Sequence, residues 1–106
     1  MAKAYLMVRV QVADAALREG FDRWYRDDHL PWARKAFDAE RAARFWSRSD
    51  PALHIALYQF PDLATAQHAT RAEIIAPLVA DFDKTWPTIT ARTRDYLELV
   101  QDLQPL

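Results

Sequence analysis

The sequence predicts an α+β sandwich, a four-stranded antiparallel sheet with helices on one face, in the order β-α-β-β-α-β. Three observations predict it. Apolar side chains alternate with period two from Ala4 to Val12 and from Leu53 to Phe60, as strands require. Two regions carry apolar residues at helical spacing. A Ser49-Asp50-Pro51 turn separates the two middle strand-like segments. Such an order gives helices segregated to one side of an antiparallel sheet.

In the first strand Leu6, Val8, Val10 and Val12 share one side, with Tyr5, Met7, Arg9 and Gln11 on the other. Asp14 suits the N-cap of the next helix. In that helix Leu17, Phe21, Trp24 and Tyr25 form an apolar stripe, while Arg18, Glu19, Asp22, Arg23 and Arg26 face away. Gly20 weakens the helix by about 1 kcal/mol relative to alanine, which the aromatic stripe can offset. Leu30 precedes Pro31 and is pushed toward extended geometry, so the helix is expected to stop near His29. Pro31 then opens a short second helix reaching about Phe37.

The segment from Glu40 to Arg48 admits a helix by propensity, yet Arg44 and Trp46 alternate with Ala43, Phe45 and Ser47. A strand is expected there, mainly from the overall plan. In the third strand Leu53, Ile55 and Leu57 face one way, His54, Ala56, Tyr58 and Phe60 the other. Asp62 caps a helix with Leu63, Ala66 and Ala69 on its apolar side. Pro77 is expected to begin another, containing Leu78 and Phe82 and ending at Trp86-Pro87. A last strand is expected from Thr88 to Gln101, followed by a short Gln104-Pro105-Leu106 tail. On this plan Tyr5, Met7, Trp46, Tyr58 and Tyr96 project from the uncovered sheet face. That is too much aromatic surface for a solvated monomer, so a homodimer packed sheet to sheet is expected.

At 106 residues the chain is expected to form one domain, residues 1–106, burying about 60–70% of the surface it exposes when unfolded. A hydrophobic fraction of 51% excludes disorder. A formal net charge of −1 provides no basic field, so neither nucleic acid nor a membrane is expected as partner. Cysteine is absent, which removes disulfides, thiolate nucleophiles and Cys-ligated metals. The single glycine, Gly20, rules out a glycine-rich phosphate loop. Neither a signal peptide nor a membrane span is evident, and a cytoplasmic location is the default.

The run Trp24-Tyr25-Arg26-Asp27-Asp28-His29-Leu30-Pro31-Trp32 places a histidine flanked by two aspartates at a helix end. His29 has two readings. It is a general acid/base whose ring a carboxylate orients, or a cation capping the helix C-terminus. His54 and Tyr58 share a strand face that alternation matches with Arg9 or Tyr5. Together these four suit an oxygenated aromatic ligand or, equally, a dimer interface. Arg92, Arg94, Tyr96 and Glu98 alternate on the last strand as a salt-bridged face or an anion-binding wall. His29, His54 and His68 lack metal-ligand spacing, so no metal is expected. No cofactor is expected either, although one histidine would suffice for haem. Ser47 and Ser49 lack a nucleophile elbow.

With that plan and the Trp-Tyr-x-x-x-His-Leu-Pro run in view, the chain resembles the dimeric α/β-barrel superfamily of ferredoxin-like domains. It looks closest to EthD-like and related uncharacterised small bacterial proteins. Three pieces carry the likeness: Trp24 to Pro31, Asp50-Pro51…His54…Tyr58, and Phe82…Trp86…Arg92-Thr93-Arg94…Leu97-Glu98-Leu99-Val100. The resemblance implies homodimerisation and a cavity between helices and sheet, with His29 at the position that often faces that cavity. The superfamily includes cofactor-independent monooxygenases, cyclases, lactone isomerases and haem-handling enzymes, so membership does not select the chemistry. The expectation is a cofactor-independent isomerase, cyclase or monooxygenase acting on a small apolar oxygenated compound. His29 would handle protons, and Trp24, Trp46, His54 and Tyr58 would shape the pocket. The alternative is a ligand-binding or stress-associated dimer without catalysis.

Overall fold

A computed structural model describes residues 2–106. The first strand, β1 (Ala4–Gln11), lies inside the sheet, paired antiparallel with β3 (Leu53–Phe60) on one side and β4 (Arg92–Glu98) on the other. β2 (Arg41–Trp46) pairs antiparallel with β3, giving the order β2-β3-β1-β4. β2 is a strand despite its helical propensity, because pairing with β3 overrides a weak local preference. The ferredoxin-like architecture expected from the sequence is the one observed.

Register decides which face each side chain joins. Leu6 pairs with Tyr58 and Tyr96, Val8 with Ala56 and Arg94, and Val10 with His54 and Arg92. Trp46 pairs with His54. These residues share the face that the helices cover, where Leu6, Val10, His54, Ala56, Tyr58 and Phe60 are buried. Tyr58, Trp46 and Tyr96 therefore do not project from the uncovered face as expected. Tyr96 instead hydrogen-bonds through its hydroxyl to Thr70 Oγ1. Tyr5, Met7, Arg9, Phe45, Ile55, Leu57 and Leu97 occupy the uncovered face.

The first helical region is not broken at Pro31. A short 3-10 turn (Ala15–Leu17), capped by Asp14 Oδ1 accepting from the Ala16 N–H, leads into α1 (Arg18–Trp24). A π-helical turn (Tyr25–His29) then passes directly into α2 (Leu30–Phe37). Leu30 is helical, with φ −64° and ψ −47°, and its N–H donates to Tyr25 O, five residues back. The wider turn gives room to the proline ring, which would otherwise press on the preceding turn. It also resets the helix phase. Phe21, Tyr25, His29, Ala33 and Phe37 are all buried at strict four-residue spacing. In a plain α-helix each such step overshoots a full turn by about 40°, so the line would wander off the core face. Asp38 closes α2 in the left-handed region at φ 51°.

α3 (Leu63–Ala69) starts where Asp62 Oδ1 accepts from the Thr65 N–H at 2.7 Å. α4 (Ala72–Thr85) starts five residues earlier than the sequence suggests, with Pro77 inside it. Its packed face, with buried Leu78 and Phe82, holds the helix despite one missing backbone bond. β4 is shorter than expected: residues 88–91 lie outside the strand, although the Gln11 N–H donates to Ala91 O at 2.8 Å, and the chain is irregular beyond Glu98.

Candidate functional site

A cavity of about 200 Å³ opens between the covered sheet face, the π-turn with α2, and α4. Leu6 and Val8 form its floor. Ala33 and Phe37 on α2, and Ile75, Leu78, Val79 and Phe82 on α4, supply apolar walls. Val8 sits centrally on the covered face yet is only partly buried, because this space lies above it. The polar groups in the wall are Tyr25 and His29 from the π-turn, Tyr58 from β3, and Arg92 and Arg94 from β4, with Thr93 between them in register with Arg9 of the opposite face.

His29 is 8% exposed, and its ring stacks on Trp24 with centroids 4.6 Å apart. Its Nδ1 is buried without a hydrogen-bond partner. Burial pulls its pKa down to about 4, with Asp81 opposing and Arg92 assisting through their charges. The ring is thus neutral near pH 7. This excludes the cationic cap, as does the uninterrupted helix. No neighbouring aspartate orients the ring either, since Asp27 is bound by Arg26 at 2.8 and 3.0 Å and Asp28 is exposed.

Tyr25 joins the polar groups together. Its ring centroid is 4.8 Å from that of His29 and 4.4 Å from that of His54. Its hydroxyl and that of Tyr58 interact closely enough to affect each other's ionisation. Burial pushes Tyr25 up to about 12 and Tyr58 well above the usual phenol value. Both remain protonated donors at neutral pH.

Of the residues singled out from the sequence, His29 and Tyr58 line the cavity. Trp24 backs His29 from outside the lining. His54 and Trp46 form an adjoining buried cluster behind Tyr25, with ring centroids 4.9 Å apart. Asp22 fixes that cluster, accepting from Trp46 Nε1 at 2.8 Å and from Arg44 Nη1 at 2.7 Å. Those two hydrogen bonds hold the Asp22 carboxyl below its usual pKa. Arg9 and Tyr5 are corrected outright. The register places them on the opposite sheet face, where they cannot share a ligand with His54 or Tyr58. The sequence reading missed Tyr25 as a site residue. The unbroken four-residue line from Phe21 to Phe37 is the signal that puts it beside His29. Among the described residues no three His, Asp or Glu side chains gather in a metal-binding arrangement. No described helix is long and apolar enough to cross a membrane.

No protein-family model and no curated protein sequence matches this chain. Solved structures do. An ethyl tert-butyl ether D (EthD) family protein from Bacillus halodurans superposes with a TM-score of 0.68 at 18% identity, over 94% of this chain and 100% of that one. A monooxygenase from the ActVA-Orf6 gene of Streptomyces coelicolor, solved with nanaomycin D, gives 0.72 at 14% identity, over 99% and 94%. SnoaB, a cofactor-independent oxygenase from Streptomyces nogalater, gives 0.62 at 13% identity, over 97% and 98%. At these identities the likeness establishes the fold. The chain shares its ferredoxin-like fold with these structures, as the sequence resemblance implied.

Proposed function

We propose that the protein is a homodimeric, cofactor-independent enzyme that takes a small, mostly apolar oxygenated compound into the cavity, with His29 accepting a proton from it. One observation carries this reading: a neutral, buried imidazole converges with two buried phenol hydroxyls on a cavity whose floor and helix walls are apolar. A proton moves from an acidic C–H or O–H of the substrate to the ring. The electron pair stays on the substrate, delocalised onto its oxygen, and a Tyr25 or Tyr58 hydroxyl donates to that oxygen. A pKa of about 4 reflects burial of the ring among protein groups alone. The anion left beside the imidazolium raises it, since an opposite charge in contact favours the protonated ring. Proton removal is the step that isomerases, cyclases and cofactor-independent oxygenases have in common. The two Streptomyces oxygenases of this fold support that class. The uncovered sheet face, with Phe45 51% exposed beside Ile55 and Leu57, supports the dimer.

Hydrogen–deuterium exchange followed by NMR tests this without knowledge of the natural substrate. 2-Naphthol, a cyclic 1,3-diketone and a naphthoquinol are incubated with protein in deuterated buffer. The wild type accelerates exchange at the acidic carbon of at least one, and His29→Gln loses about 100-fold or more of that acceleration. Exchange at the buffer rate in compounds that do bind would overturn catalysis. It would leave the second reading, a non-catalytic ligand-binding dimer. That reading is favoured by His29 Nδ1, which lacks the partner that usually fixes a catalytic tautomer.

A further inference from the structure

Building on the proposed ligand cavity, we propose that its natural occupant is a monoanion, a small ring-containing carboxylate with a hydroxyl or carbonyl at the opposite end. The cavity is polar at two separate places. One is the Tyr25, Tyr58 and His29 group, which offers donors and a neutral acceptor and carries no charge at neutral pH. The other is the β4 edge, where Arg92 and Arg94 reach the wall.

These two arginines are not equivalent. Arg92 Nη2 donates to Asp83 Oδ1 at 2.6 Å, and its guanidinium lies 4.3 Å from the Phe82 ring centroid, so its charge is already matched. Arg94 lies within ion-pair distance of no carboxylate, and no hydrogen bond holds its side chain among the described residues. Arg94 is exposed at the β4 edge of the cavity; a guanidinium without a carboxylate partner there attracts an anion, and its planar fork fits a carboxylate through two parallel bonds. With Arg92 neutralised, the site compensates one negative charge and not two. This favours a carboxylate over a phosphate monoester.

The strand register holds the two polar places apart. Tyr58 flanks Leu6 on one side of β1, and Arg94 flanks Val8 on the other. The two are thus two strand spacings apart and two residues along, about 12 Å between Cα atoms. A cavity of about 200 Å³ accommodates one or two fused rings.

Isothermal titration calorimetry with three probes tests the assignment: 6-hydroxy-2-naphthoate, its carboxamide, and 2-naphthol. The carboxylate binds at least about tenfold more tightly than the carboxamide, as one charge-assisted pair predicts. Arg94→Gln removes that preference, Arg94→Lys keeps part of it, and neither shifts the melting temperature of the unliganded protein. Equal affinity for acid and amide, or an Arg94→Gln variant that holds the acid undiminished, would overturn the anion assignment while leaving the cavity as a ligand site. Failure of all three probes to bind would remove the ligand cavity itself, and the proposed function with it.

Discussion

His54 is fully buried, and neither ring nitrogen has a hydrogen-bond partner. It is boxed by the Phe21, Tyr25 and Trp46 rings, with centroids 5.3, 4.4 and 4.9 Å away. Burial lowers its pKa to about 4, assisted by the Arg44 charge. Below pH 6.5 the unfolded chain takes up a proton that the folded chain refuses, so stability falls from about pH 6.5 down to about pH 4 and then levels off. His29 acts in the same direction. The loss is on the order of 3 kcal/mol per histidine. Melting temperature measured from pH 7.5 to 4.5 should therefore drop steeply in the wild type and less steeply in His54→Gln; parallel curves would refute the role given to His54. Alternation made the shared face of His54 and Tyr58 legible in the sequence, but not which face the helices cover. Leu53, Ile55 and Leu57 are as apolar as the residues opposite, so pattern alone could not decide. Only the pairing of Val10 with His54 and Leu6 with Tyr58 separates them from Arg9 and Tyr5.

Helix limits were less legible than strands, and both proline-containing regions show why. A proline predicts a stop through its clash with the preceding turn. At Pro31 the Leu30-to-Tyr25 bond widens that turn, and the helix runs on. At Pro77 the buried Leu78 and Phe82 hold α4 together across the gap. His29 therefore lies inside a helix, turned toward the cavity by backbone geometry that propensity does not encode. The end of α2 carries a testable strain. Asp38 adopts φ 51° and ψ 42°, where a side chain costs about 1 kcal/mol and glycine costs little. After the entropy glycine adds to the unfolded chain, Asp38→Gly should still stabilise by about 0.5 kcal/mol, or a few degrees of melting temperature. A fall in melting temperature would show that the carboxylate contributes more than its strain costs.

For the whole molecule, one sheet face is filled by helices while the other presents Tyr5, Met7, Phe45, Ile55, Leu57 and Leu97. If two copies meet there, Ile55 lies near the centre of the contact, and a carboxylate from each copy would be buried without a partner. On the proposed assembly the wild type should run as a dimer by size-exclusion chromatography with light scattering, and Ile55→Glu as a monomer. A dimer that survives the change would refute assembly through this face. The two central strands were legible because period-two alternation determines them locally, whereas β2 followed from the overall plan and not from its own residues. A cavity between helices and sheet was implied by the resemblance, but its lining was not legible, because it depends on how far α4 and the π-turn stand from β1. The π-turn also bears on how a cavity of this kind diversifies. Such a turn holds one residue more than its α-helical counterpart, so chain length there sets the angle between the helix before it and the helix after it. Loss or gain of a single codon would swing Ala33 and Phe37 against a stationary sheet. A lineage can thus reshape the binding space through one change in length, without replacing any residue of the wall.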